Sequence, residues 1–224
     1  MKELETIKKP RIKKGTKFYG MGDDLTSNFI NGNRLPKHSP AHKVYSHISH
    51  TKNTLCYFLA KYDKDTTFLE SFDNYVFNYL KDNLHSLGSF CFLWGSDEAK
   101  KHIFPKTLLT ALEDRIDYFQ NTEINDKCLE DCQDFLTHDD IRFIRLDHLN
   151  NHFRDLEIAY AAWHFELFGI SKPVNSRKDT AALLNRLSTY IFNMTRYYSL
   201  KFNVEECYWK AEISEFIPPD YETK

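Results

Sequence analysis

The sequence predicts an all-α, single-domain helical bundle of about six helices behind an irregular basic N-terminal arm. One observation is where helix breakers are missing. Between Ala41 and Ile217 the chain has only three glycines (Gly88, Gly95, Gly169) and two prolines (Pro105, Pro173). Glycine frees the backbone and proline removes an amide donor, so a stretch nearly without them suits long helices. A second observation is periodicity. Apolar residues recur three and four apart through most of that stretch, which places them on one face of a helix. The third is composition. The 224 residues are 42% hydrophobic and include 18 Phe and 13 Tyr, enough to bury a core rather than stay disordered.

Taken in order, residues 1–37 differ from the rest. The first 20 carry Lys2, Lys8, Lys9, Arg11, Lys13, Lys14 and Lys17 against Glu3 and Glu5, a net charge of +5. Gly15, Gly20, Gly22, Gly32, Pro10 and Pro36 then interrupt any regular pattern, leaving an irregular arm with a short extended piece around Lys17–Tyr19. Ser39-Pro40 starts the first helix, with proline at its first position. Val44, Ile48, Leu55, Leu59 and Tyr62 form its stripe. A second helix follows Asp65 and Thr66 through Leu69, Phe72, Val76, Leu80, Leu84 and Leu87, and Gly88 should end it. The run Phe90–Trp94 fits a buried connector, a short strand or a last turn equally well. Ser96 caps a third helix that Pro105 should kink or split, with Phe104, Leu108, Leu112, Ile116 and Phe119 inside. A short amphipathic helix spans 126–136.

The longest pattern covers 139–168. Ile141, Ile144, Leu149, Phe153, Leu156, Tyr160, Trp163 and Leu167 mark one face, and Gly169 with Pro173 ends it. The last long helix starts near Ser176 and carries Leu184, Leu187, Ile191, Met194, Tyr198 and Phe202. So short a connection between the two favours antiparallel neighbours. A piece through Trp209 and Ile213 follows, ended by Pro218-Pro219. The expected division is therefore an arm at 1–37, a bundle at 38–217 and a tail at 218–224.

Bulk properties exclude several classes. No apolar run approaches the roughly 20 residues that span a bilayer, and residues 1–20 lack a signal peptide's apolar core. No repeat of fixed period suggests a solenoid. The five cysteines (Cys56, Cys91, Cys128, Cys132, Cys207) are odd in number and contain no CxxC pair. They read as reduced thiols acting as small hydrophobes, which implies a cytoplasmic setting. Gly20-Met-Gly22 lacks the third glycine of a dinucleotide fingerprint, and there is no Walker A sequence. No serine has the context of a nucleophile elbow.

Chemistry concentrates in one stripe. Arg145, His148, His152 and Asp155 are spaced by three, four and three residues, so a helix stacks them on one face beside the apolar line. His148 and His152 have a spacing that can bind a metal ion, with Asp155 as third ligand and His47 and His50 as donors from the first helix. No HExxH accompanies them, and no resident metal or cofactor is expected. The other chemistry is RNA cleavage, with histidine as acid or base and arginine holding the phosphoryl oxygens. The runs from Arg142 to His148 and from Arg145 to His152 weakly resemble the Arg/His pairs of the HEPN ribonucleases. That resemblance covers about a dozen residues. It departs from the family where a polar residue follows the arginine, since Phe143 or Leu146 stands there. It implies Arg142, Arg145, His148 and His152 as catalytic residues of a metal-independent ribonuclease.

Lysine clusters bind nucleic acid through released counterions, so Lys8, Lys9, Arg11, Lys13, Lys14 and Lys17 are the expected contacts if RNA is a ligand. The acidic run 121–140, net charge −6, offers the arm an internal partner. The aromatics Tyr190, Phe192, Tyr197, Tyr198 and Phe202 surround the last helix and suit a core or a subunit contact. The expected function is a soluble helical interaction or regulatory protein without its own catalysis, meeting a protein partner or a second copy of itself. The ribonuclease is the alternative.

Overall fold

The computed structural model describes residues 25–28, 34–62, 68–92, 101, 103–121, 137–168, 176–204 and 206–207. Within them the chain is all-α in class. Five helices carry the fold: α1 (Pro40–Tyr62), α2 (Ser71–Phe92), α3 (Lys106–Gln120), α4 (Ile141–Phe168) and α5 (Ser176–Lys201). Four short strands decorate it. β1 (Thr26–Asn28) pairs antiparallel with β2 (Arg34–Pro36), and β3 (Thr137–His138) pairs antiparallel with β4 (Glu206–Cys207). The expected short helix at 126–136, the extended piece at Lys17–Tyr19 and the C-terminal piece lie outside the described residues. The hairpin of β1 and β2 falls inside the stretch expected to be irregular.

Helix α1 begins as the sequence implies. Ser39 Oγ accepts the His42 amide at 3.4 Å, capping the first turn. Its stripe buries Val44, Ile48, Leu55, Phe58 and Leu59. Helix α2 departs from expectation at both ends. Phe68 and Leu69 precede it rather than belong to it, and Phe68 is buried among Phe58, Tyr62, Phe143, Tyr198 and Phe202. Nor does Gly88 end it. The glycine is itself buried, and Leu87, Phe90 and Cys91 carry the apolar stripe past it. The roughly 1 kcal/mol penalty for glycine inside a helix is smaller than the burial of Phe90 that continuing the helix secures. Pro105 does not kink α3. It is the N-cap, in extended conformation, and the helix starts one residue later.

Helix α4 is continuous. Asp140 caps it, with Oδ1 accepting the Arg142 amide at 2.8 Å. Leu149, Phe153, Leu156, Tyr160 and Trp163 are buried. Ile141 and Ile144 are not, at 51% and 43% exposed. At this end Phe143 and Leu146 turn inward instead, because the aromatic cluster around Phe68 draws Phe143 in. Helix α5 runs opposite to α4: Asn185 near its start meets Glu157, while Phe202 beyond its end shares Phe68 with Phe143 near the start of α4. It ends in a Schellman turn. Val204 N–H donates to Ser199 O at 2.8 Å and Asn203 N–H to Leu200 O at 3.1 Å. Asn203 takes φ 52°, the left-handed conformation that asparagine tolerates after glycine best.

In section, α1 packs against α2 and α4, and α5 packs against α4 and α3. A buried polar hub closes the remaining side. Asp73 of α2 is fully buried. Arg115 of α3 grips it with two hydrogen bonds, Nε to Oδ1 at 3.0 Å and Nη2 to Oδ2 at 2.6 Å. From α5, the Tyr190 and Tyr198 hydroxyls each donate to it at 2.6 Å. Glu70 extends the hub, accepting from Arg115, Tyr197 and Lys201. Burial alone would raise the Glu70 carboxyl, but these three donors outweigh it and hold it at about 2.

Two consequences are measurable. Asp73→Ala removes the buried one of Arg115's two carboxylate partners, leaving only Glu70, and strips two tyrosine hydroxyls of their acceptor, which should cost about 3–5 kcal/mol in urea unfolding; Leu156→Ala, a pure cavity, should cost about 2–5 kcal/mol. A loss under 1 kcal/mol for Asp73→Ala would remove the hub from its central place. Because the folded pKa of Glu70 lies below the unfolded one, its contribution is complete above the ordinary carboxylate range. It is lost as pH falls from about 4.3 toward about 2. Glu70→Gln should flatten the fall in stability across that window.

Candidate functional site

Helix α4 is the wall shared by two concave surfaces. The first opens between α4 and α1. It is lined by Asn53, Thr54, Tyr57, Phe58, Ile141, Ile144, Arg145 and His148 and encloses about 530 Å³. Its walls are largely apolar, since Ile141, Ile144 and Tyr57 expose 51%, 43% and 53% of their surface here. Arg145 lies over the Tyr57 ring, 4.2 Å from its centroid, and its Nε is buried without a hydrogen-bond partner. The volume is that of a small-molecule site, typically roughly 300–1,000 Å³.

The second surface lies between α4 and α5 and is polar. Arg154, Glu157, Asn185, Ser188, Thr189 and Phe192 line about 190 Å³. A chain of hydrogen bonds organises it. Glu113 of α3 accepts from Arg186 Nε at 3.0 Å, Arg186 Nη1 donates to Asn185 Oδ1 at 2.9 Å, and Asn185 Nδ2 donates to Glu157 Oε1 at 3.1 Å. Ser188 and Thr189 both turn their hydroxyls back to Asn185 O. Both helices thus present fixed donors and acceptors beside the exposed Arg154.

The residues singled out in the sequence do not act as one unit. Arg142 is committed to Asp140, with Nη2 to Oδ2 at 2.6 Å, and stacks over Phe68, Phe143 and Phe202. It faces the end of the bundle, away from the groove. The bond also holds the Asp140 carboxyl below its usual range. Arg145 and His148 do share the groove with α1. His152 sits one turn on, its ring 4.6 Å from that of His148 and 6.3 Å from that of His50. Burial lowers the His152 pKa, and His148 lowers it further, against the opposing pull of Asp155. The four histidines converge because α1 meets α4, yet among the described residues no three His, Cys, Asp or Glu side chains are placed to hold a metal ion. Lys8, Lys9, Arg11, Lys13, Lys14 and Lys17 lie outside the described residues.

The sequence reading passed over Arg154, Glu157, Asn185 and Arg186. Each is an ordinary solvated residue on its own helix, and nothing in linear spacing pairs α4 with α5 at these positions. No helix among the described residues is long and apolar enough to cross a membrane.

Comparison with known proteins corrects the functional expectation. The sequence model of the family described as cobalamin adenosyltransferase matches residues 18–198. No curated protein matches the chain. Among solved structures, a variant PduO-type ATP:corrinoid adenosyltransferase from Lactobacillus reuteri, complexed with cobalamin and ATP, is similar at 16% identity. It has a TM-score of 0.62, covering 86% of this chain and 98% of that one. A second variant from the same organism, complexed with ATP, aligns at 17% identity and TM-score 0.60, covering 86% and 99%. At such identity the structures establish the helical fold they share with this chain. The family match overturns both functional expectations, the non-catalytic interaction or regulatory protein and the HEPN-like ribonuclease, and RNA binding loses its support. Neither Arg/His pair acts as a pair: Arg142 is held by Asp140, Arg145 and His148 line the groove, and His152 meets His50.

A measurable outcome concerns the groove itself. Tyr57→Ala removes the ring beneath the Arg145 guanidinium and should cost about 0.5–1 kcal/mol by urea denaturation. A loss above about 2 kcal/mol would show that Tyr57 is a core residue and not a groove wall.

Proposed function

The chain belongs to the cobalamin adenosyltransferase family, and from that premise we propose that it transfers the adenosyl group of ATP to the cobalt of a corrinoid. The observation that carries this reading is the family match across residues 18–198. That match begins inside the expected arm and runs nearly to the end of α5. In that reaction reduced cobalt supplies the electron pair for a new bond to the ribose 5′ carbon, the carbon–oxygen bond to the phosphate chain breaks, and the chain leaves as triphosphate. It needs one site for a flat, largely apolar macrocycle and another for a charged nucleotide.

The two surfaces of α4 divide these tasks by chemistry. The apolar groove against α1 suits the corrinoid: Tyr57, Ile141 and Ile144 would cover a ring face, while Arg145 and His148 would meet its polar periphery. The polar cleft against α5 suits part of ATP. Arg154 would bind phosphate oxygens, and Asn185 and Glu157, held by Arg186, would meet hydroxyl or amino groups. This cleft is too small for the whole nucleotide. A second copy of the chain, seated on the exposed Ile158, Phe165 and Phe192, would complete it. The bundle at 38–217 would carry the reaction, the basic arm at 1–37 would lie against a phosphate chain, and 218–224 would be a tail. The thiols Cys56 and Cys91 are free, in keeping with a reducing, cytoplasmic setting.

The test is direct. Purified protein is incubated without oxygen with ATP and chemically reduced cobalamin, and the corrinoid is separated and compared with authentic adenosylcobalamin. Product is expected. Arg154→Ala should raise KM for ATP roughly 10–100-fold, the loss of one charge-assisted contact, with KM for the corrinoid little changed. Absence of product together with absence of ATP binding by calorimetry would overturn the reading.

A further inference from the structure

Four histidines meet where α1 packs against α4, and the proposed adenosyl transfer uses only His148 of them, in the groove. His47 and His50 come from α1, His148 and His152 from α4. Their rings form a chain, with centroid separations of 6.5 Å (His47–His50), 6.3 Å (His50–His152) and 4.6 Å (His148–His152). At the middle of the contact is Thr51, fully buried. Its hydroxyl lies 2.7 Å from His47 O and 3.2 Å from His152 O. One short side chain thus spans the backbones of both helices, and the imidazoles surround that junction.

We propose that this contact is a proton-operated clasp, which holds α1 against α4 while the His152 ring is neutral and loosens when that ring charges. Neutral rings can pack edge to face, and the His50–His152 and His47–His50 pairs do so at 76° and 75°. Charged rings at these separations repel. The groups facing His152 are His47 and His50 from α1, with His148 and Asp155 on α4 itself. Arg145 adds a permanent positive charge on the His148 side, in the shared groove. Asp155 opposes this effect on the His152 ring, but burial and His148 outweigh it. Adding positive charge therefore works against the junction at Thr51.

The direction follows from burial. The ring of His152 gives up its proton more readily in the folded chain than in the unfolded one. Stability from the clasp is thus complete above the ordinary imidazole range, about 6.5, and declines as pH falls below it. A proton-sensitive device of this kind needs only histidines placed at a contact between two elements. The inference rests on the fold and does not depend on adenosyl transfer.

The experiment is thermal unfolding of the full chain between pH 8 and pH 5, compared with His152→Gln and with His50→Gln/His152→Gln. The unchanged chain should lose roughly 2–4 °C or more in Tm across this range, and the variants should lose clearly less. Variants as steep as the unchanged chain would overturn the proposal. Should a variant fail to fold, the titration of the His152 ring protons in the unchanged chain decides. A midpoint below about 6.5 supports the clasp, and one at or above it overturns the clasp.

Discussion

The fold depends on one buried carboxylate. Asp73 has no solvent access, and its two oxygens receive four donors, two from Arg115 and one each from Tyr190 and Tyr198. Taking an aspartate and an arginine out of water costs several kcal/mol per ion, so such a pair adds little net stability over an apolar replacement. What it adds is register. The donors reach from one residue of α3 and two of α5: a slide of α3 by one turn would part the buried charges, and a slide of α5 would withdraw both hydroxyls. The Tyr198 hydroxyl serves twice, donating to Asp73 and accepting the Glu70 amide at 2.7 Å. The carboxylate also sets the charge state of its neighbours. Burial raises the Tyr190 and Tyr198 hydroxyls and the nearby Asp73 raises them further, so both remain protonated donors.

With α2, α3 and α5 locked together, α4 has one place left, between α5 and α1. That position explains its two working faces. One side meets α1 through Thr51 and the histidines, and the other meets α5 through Glu157 and Asn185. A helix flanked on two sides carries polar residues on both shoulders of its buried line. This is why the stripe from Arg145 to Asp155 stood out. Its members belong to different contacts: Arg145 and His148 to the groove and His152 to the histidine junction, while Arg142, one turn earlier, belongs to the cap.

The helices were legible because their signals are local. Ser39-Pro40 starts α1 and the stripe from Leu149 to Trp163 gives the buried side of α4, both within a few turns of chain. Ends were harder to read. Gly88 suggests a stop only until Phe90 and Cys91 find burial beyond it, and Pro105 can open a helix as easily as break one. Asn203 does carry a readable signal, a left-handed residue just past a helix, though asparagine announces it less firmly than glycine. The polar hub was invisible for a different reason. Asp73 and Arg115 are 42 residues apart, and each sits where a solvated charge is common. The sites share that difficulty, since Arg154, Asn185 and Tyr57 acquire meaning only from a neighbouring helix.

Function followed the same rule. The proposed adenosyl transfer joins two substrates that the protein must hold side by side. The chemistry lies in the substrates, and the protein's part is to bring a nucleotide and a macrocycle together in a fixed geometry. Such a task is spread along whole helices, so it is carried by a family resemblance over 18–198 more clearly than by any dozen residues. The Arg/His stripe misled because it was judged as a catalytic pair, where proximity on one helix is the requirement. The proposed reaction asks instead for opposed faces of one helix, and α4 has neighbours on both sides.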